Sequence, residues 1–335
     1  MKELIKRLVE TFGPSGDELA VRELIREEIE DQLDQIEVDT MGNLIALKKG
    51  QDDSKKVMLA AHMDEIGLIA THIEEDGFIR FSNVGGVSPY NLLGERVLFN
   101  GETIGVIDKE GKLDDISKLK HDKLYVDIGA TSQEEAEEKV KIGDTATYYR
   151  QLDLVENRFV AKGLDDRAGC AVLIETIKQL TEQPTFDTYF VFTVQEEVGT
   201  RGAITSSYEI NPDVGIAVDL TLTGDTPEAK RMAVSLGEGP AIKVKDRSVL
   251  VNPQLKKLMI DLAEENEIPY QLEVLDRGGT DTGRMQLSRE GAIAGAISIP
   301  GRYVHSPSEM IDLTDLENGI KLLTKIVQSD YQGLF

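Results

Sequence analysis

The sequence predicts an α/β fold interrupted by a smaller all-β domain, and three observations carry that prediction. Apolar runs such as Val57-Met58-Leu59-Ala60-Ala61 are uniform enough to be strands covered on both faces, as in parallel sheets. Runs of this kind alternate with helical periodicities near both ends of the chain. Between about Leu68 and Phe159 the texture changes to short alternating segments separated by Gly-, Asp- and Asn-rich turns, the pattern of a small barrel or sandwich. The chain therefore divides into 1–67, 68–159 and 160–335, with the first and last parts building one α/β domain.

Met1 to Glu10 has the spacing of an amphipathic helix, which Gly13-Pro14-Ser15-Gly16 ends. A highly charged second helix is predicted from about Asp17 to Gln32. Ile36–Asp39 and Asn43–Lys48 read as short strands around a Met41-Gly42 turn. Polar Gln51 to Lys56 leads into the buried strand Val57–Ala61. In the middle region the strands are Phe78–Phe81, Arg96–Phe99, Thr103–Ile107 and Leu124–Ile128, with one helix over Ser132–Lys139. A further helix follows Asp165-Asp166, its apolar face made by Ala171, Leu173, Ile174, Ile177 and Leu180.

With 335 residues, 40% of them hydrophobic, the chain can bury a large core. Its net charge of -24 argues against nucleic acid and anionic membrane surfaces, which it would repel. A single cysteine, Cys170, permits no intrachain disulfide and fits a reducing compartment; on the apolar side of its helix it reads as a small buried residue. The N-terminal helix contains acids and lacks the unbroken apolar core of a signal peptide. No stretch approaches the ~20 apolar residues of a membrane span. The expectation is a soluble cytoplasmic protein.

Ligands of open α/β sheets bind beyond the carboxyl ends of the strands, so the polar residues that follow each apolar run are the candidates. Val57–Ala61 is followed by His62-Met63-Asp64, Tyr189–Val194 by Gln195-Glu196-Glu197, and Gly215–Val218 by Asp219. Ala292–Ile299 leads within a short loop to His305, and Asp165 sits where a strand-to-helix turn belongs. An Asp-Asp pair before a helix is ordinarily a cap. Here it keeps company with two imidazoles and several acids at one sheet edge, and a carboxylate can give one oxygen to each of two metal ions. Formal charge is consistent with that: two divalent ions carry +4, Asp165, Glu197 and Asp219 carry -3, and His62 and His305 are neutral, so one bound hydroxide closes the balance. Mixed His and carboxylate ligands suit zinc, cobalt or manganese. Glu196 is the candidate general base, and Asp64 the candidate partner for the other ring nitrogen of His62. His72 and His121 lie in the β region without acidic neighbours of this kind and read as surface residues.

Ala61-His62-Met63-Asp64-Glu65-Ile66-Gly67, Leu164-Asp165-Asp166-Arg167-Ala168-Gly169, Gln195-Glu196-Glu197-Val198-Gly199 and Arg302-Tyr303-Val304-His305-Ser306-Pro307 together resemble the M42 metallo-aminopeptidases. That family includes glutamyl, deblocking and tetrahedral aminopeptidases, and some members have carried the label endoglucanase. The resemblance covers almost the whole chain, the Tyr125–Ala130 segment of the insert included. It implies a three-layer α/β/α metallopeptidase domain with an inserted barrel-like dimerisation domain, and six dimers enclosing a cavity in a tetrahedral dodecamer. It implies that Asp165 bridges two divalent ions (zinc, cobalt or manganese), with His62 and Asp219 completing one site and Glu197 and His305 the other. It further implies that Glu196 is the base, that Asp64 orients His62, and that the Asp165–Asp166 bond is cis. Gly278-Gly279-Thr280-Asp281 also looks familial and is expected to line the site.

The expected activity is removal of N-terminal residues from peptides, with a metal-bridging hydroxide as nucleophile. The alternative is a carboxylate-pair glycoside hydrolase, which would use Glu196 but give His62 and His305 no task and would work without metal. A non-catalytic scaffold is a third reading, against which the retained Glu196 argues.

Overall fold

The computed structural model describes residues 1–112 and 115–335. Helix α1 (Lys2–Glu10) buries Leu4, Ile5, Leu8 and Val9, and α2 (Leu19–Ile29) buries Val21, Ile25 and Ile29. Each is a stripe at helical spacing. The hairpin of β1 (Gln35–Val38) and β2 (Leu44–Lys48) leads into β3 (Asp52–His62). β3 is longer than its apolar run. The polar residues Asp52–Lys56 belong to it, their side chains mostly in solvent.

The chain then closes a six-stranded antiparallel barrel from β4 (Gly67–Ile73), β5 (Ile79–Val84), β6 (Arg96–Phe99), β7 (Thr103–Lys109), β8 (Leu124–Asp127) and β9 (Thr145–Tyr148), ordered β4-β5-β8-β7-β6-β9. It has its own core, including Ile79, Phe99, Ile107 and Val126. The short helix α3 (Gln133–Glu137) starts at Ser132, whose hydroxyl accepts the Glu135 N–H. Strands β4 and β9 were absent from the sequence reading. A bulge between Ala70 and His72 breaks the alternation of β4, and β9 has only four residues.

β10 (Asp153–Val155) and β11 (Arg158–Ala161) rejoin the large sheet, so the expected 159/160 division falls inside β11. The remaining elements are α4 (Leu164–Gln179), β12 (Phe186–Thr193), α5 (Arg201–Ile210), β13 (Val214–Leu222), β14 (Ala241–Lys245), α6 (Pro253–Glu265), β15 (Gln271–Val274), α7 (Thr282–Gln286), β16 (Ile293–Arg302), β17 (Glu309–Asp312) and α8 (Leu313–Gln328).

The large sheet has the order β1-β2-β12-β3-β13-β16-β17-β11-β10, with β14 and β15 attached beside β16. Its four central strands, β12, β3, β13 and β16, are parallel. Along β3, Val57, Leu59 and Ala61 point into the core shared with α1, α2, α4, α6 and α8. Met58 and Ala60 point to the opposite core, beneath α5 and α7. That is the period-two alternation of a strand with helices on both faces, and the α/β/α architecture follows from it.

Because the four strands run in parallel, their carboxyl ends emerge at one edge, with Thr193 beside His62 and Asp219 beside Ser298. β13 and β16 continue further than their apolar runs suggest, so Asp219 lies within its strand rather than after it.

Asp315, in the first turn of α8, fixes the segment before β14 by accepting the N–H groups of Gly237 (2.8 Å) and Gly239 (2.7 Å). Burial, helped by the Asp312 and Glu238 charges, pushes its carboxyl up to about 6. The folded protein thus holds this proton more tightly than the unfolded chain does. The stability this contributes is complete below the ordinary carboxylate range and is lost as pH rises to about 6. Melting temperatures measured from pH 4 to 7 are expected to show a falling component that Asp315→Asn removes.

Candidate active site

Asp165 is placed by an unusual entry into α4. Gly163 takes a left-handed conformation (φ 60°), the Asp165–Asp166 peptide is cis, and regular helix begins only after Asp166. Asp166 locks this turn from inside. One of its oxygens accepts the Gly169 N–H at 2.9 Å and the other accepts the His62 N–H at 3.2 Å. A Cβ on Gly169 would lie 2.4 Å from both Asp166 oxygens, so only glycine fits there.

Around Asp165 the strand ends converge. Its Oδ1 lies 3.2 Å from His62 Nε2 and its Oδ2 lies 3.4 Å from His305 Nε2. One carboxylate therefore faces two separate imidazoles, one oxygen to each. Asp219 Oδ1 is 3.9 Å from His62 Nε2, and Glu197 Oε2 is 3.1 Å from His305 Nε2. Donor atoms of His62, Asp165 and Glu197 approach closely enough to share an ion, and so do those of His62, Asp166 and Asp219. Glu196 joins the others on the wall of a cavity of about 860 Å³.

Asp64 is the hub of the loop after β12. Its carboxylate accepts the N–H groups of Glu196 (2.9 Å) and Glu197 (3.2 Å) and the Ser15 hydroxyl (2.6 Å). His62 Nδ1 lies nearer the Asp64 carbonyl oxygen, at 3.0 Å, than its carboxylate, at 3.5 Å. The ring is thus steered chiefly by main chain, while the carboxylate serves the neighbouring loop. The barrel also reaches the site. Asn91 Nδ2 donates to the His305 carbonyl at 3.3 Å, and a Cβ on Gly86 would lie 2.4 Å from His305 Nδ1.

The electrostatics call for added positive charge. Burial first, then the neighbouring Asp165 charge, raises Asp219 well above the ordinary carboxylate range; burial, Asp219, Asp281 and Glu197 do the same for Glu196. Burial alone would lower the His305 imidazole, but hydrogen bonds to Asp165 and Glu197 outweigh it and push the ring up to about 12. Among the described residues, the Asp165, Glu197 and Asp219 carboxylates form ion pairs only with these two imidazoles. Glu197 Oε1 is buried with no hydrogen-bond partner, a donor atom left over. Such a carboxylate-rich, cation-poor cluster fits divalent metal.

Residues 42–322 match the family of M42 glutamyl aminopeptidases. This chain belongs to that family. A putative aminopeptidase of Acetivibrio thermocellus is 51% identical over 98% of both chains. Among solved structures, the aminopeptidase APDkam598 of the archaeon Desulfurococcus kamchatkensis superposes with a TM-score of 0.95, at 39% identity over 99% of this chain and 96% of its own. The Pyrococcus horikoshii TET1 peptidase, which can assemble into a tetrahedron or a large octahedral shell, gives 0.88 at 36% identity, covering 97% of this chain and 98% of its own.

In this M42 chain the structure gathers His62, Asp165, Glu196, Glu197, Asp219 and His305 on one cavity wall, with Gly278, Gly279 and Thr280 lining it too. Asp281 lies just behind, accepting the Thr193 hydroxyl at 2.6 Å. His72 is exposed on the barrel, and His121 is half-buried, 3.1 Å from the Val87 carbonyl oxygen. Cys170 is buried, with burial pushing its thiol up, and donates to the His62 carbonyl at 3.1 Å. Sequence reasoning gave no role to Ser15 or Glu309 and none to Asp166 beyond a cap. Ser15 lies in the Gly-Pro-Ser-Gly break, where a turn accounts for it. Glu309 lies four residues after His305, the one sequence clue to its place.

Proposed function

We propose that this chain is a metal-dependent aminopeptidase, using two divalent ions per subunit to remove N-terminal residues from peptides. The observation that carries the proposal is the Asp165 carboxylate, with one oxygen toward His62 and the other toward His305. In this reading Asp165 is shared, His62 and Asp219 complete one ion, and Glu197 and His305 complete the other. Zinc, cobalt and manganese suit that donor set. When bound, such ions lower the pKa of water and polarise a peptide carbonyl.

The chain's own residues do the rest. Glu196, on the cavity wall beside Glu197, takes a proton from the attacking water and returns it to the leaving amine. Asp64, through the amides of Glu196 and Glu197, fixes base and ligand relative to each other. The near full-length likeness to the TET1 peptidase supports a homo-oligomer, with the barrel-bearing insert, residues 68–159, making dimers and six dimers making a dodecamer. Among the described residues no helix is long and apolar enough to cross a membrane, and the single cysteine supports a cytoplasmic location.

The test uses aminoacyl-p-nitroanilides with chelator-treated enzyme, then with zinc, cobalt or manganese restored. Activity is expected to vanish with chelation and return with metal, on free-amine substrates but not on N-acetylated ones. Undiminished turnover without metal would overturn the two-metal reading, and metal-independent hydrolysis of a glycan instead would favour a carboxylate-pair glycosidase.

A further inference from the structure

We propose that Glu309 is a positioning residue that holds the two ion sites at their working separation, an inference that rests on the two-metal reading above. Glu309 is the first residue of β17 and only 1% exposed. One of its oxygens, Oε2, accepts the backbone N–H of Asp165 at 3.0 Å; the other, Oε1, accepts that of His305 at 2.8 Å. A single carboxylate thus ties together the turn carrying the shared ligand and the loop carrying a ligand of one ion only. Each bond satisfies a backbone N–H inside the protein, where leaving it unpaired would be costly.

The strut is rigid at its base. Glu309 pairs with Ala161 of β11 on one side, and the next residues of β17, Met310 and Ile311, pair with Arg302 and Gly301 of β16 on the other. The load on its two ends is unequal. Asp165 is also fixed by the local turn, where Asp166 binds the amides of His62 and Gly169. His305 has fewer supports: its backbone is left-handed (φ 62°), a conformation rarely adopted outside glycine, and beyond Glu309 its main chain is held by Asn91 alone among the described side chains. Weakening Glu309 therefore releases His305 before Asp165. The ion completed by Glu197 and His305 suffers first, and the ion completed by His62 and Asp219 persists.

The experiment is a cobalt(II) titration of metal-free wild type, Glu309→Gln and Glu309→Asp, followed by calorimetry and by the visible absorption of bound cobalt. The Gln variant keeps one acceptor oxygen but turns an NH₂ toward the other amide; the Asp variant keeps both acceptors on a shorter stem. Wild type is expected to bind two ions. In Glu309→Gln one of the two is expected to weaken by about 10–100-fold, the range found when an outer partner of a ligand is lost. Glu309→Asp should fall between, with kcat in both variants largely restored at saturating cobalt and KM little changed. Two ions bound as tightly in both variants as in wild type would overturn the positioning role. So would equal weakening of both ions with a collapsed melting temperature in Glu309→Asp, which would make Glu309 a general stability residue. Wild type binding fewer than two ions would instead overturn the two-metal reading, and this inference with it.

Discussion

Glu196→Gln is expected to lower kcat by about 10²–10⁴-fold, with KM and metal content close to wild type. Glutamine keeps the size and one carbonyl oxygen but cannot take a proton. Among the described residues none hydrogen-bonds the Glu196 side chain, and its N–H bond to Asp64 belongs to the backbone, so the substitution leaves the loop anchored. Steady-state kinetics with metal analysis on the same preparation checks this. A variant with wild-type turnover would remove Glu196 from the proton path, and one that loses metal would reassign it as a ligand.

Asp165→Asn is expected to do more damage and of a different kind. An amide offers one oxygen and one NH₂ where the carboxylate offers two oxygens, so one of the two facing imidazoles, His62 or His305, meets a donor. Metal content is expected to fall below two ions per subunit. kcat/KM should fall on the order of 10³-fold or more, beyond the 10–100-fold typical of a residue that only supports a ligand. The pair of variants separates chemistry from assembly of the site: Glu196→Gln should stay metal-replete and slow, Asp165→Asn metal-poor and slow. Calorimetric metal titration of both, side by side, distinguishes them.

The convergence of residues at the sheet edge was legible because a buried parallel strand announces its end, where uniform apolarity gives way to a polar residue. His62, Glu196, Glu197 and His305 each come shortly after such a run. Asp219 does not mark a strand end, since β13 continues in register with β16 past it as far as Leu222. The groups behind the site were far less legible. Glu309, Ser15 and the Asp64 carboxylate act on backbone N–H groups or on one another, and a backbone amide leaves no mark in residue type. The His62 ring shows the same limit: sequence offers the Asp64 side chain as its partner, whereas the nearer atom is the Asp64 carbonyl oxygen, a group every residue carries. In the barrel, two strands leave little trace in the pattern: β4, whose bulge shifts the period by one residue, and β9, which has only four residues.

The seating of the barrel's Gly86 and Asn91 against His305 bears on how this architecture can be taken apart. An insert joined to its host only through its two ends is a cassette, free to be excised, exchanged or grafted. This one supplies a wall against which an imidazole rests, so trimming the chain to a minimal enzyme by deleting the barrel would unseat that ring while leaving every strand of the large sheet intact. Loops on the far side of the barrel have no such ring to hold. The 85–91 loop is not, and a chimaera that exchanges barrels should keep that loop with its host.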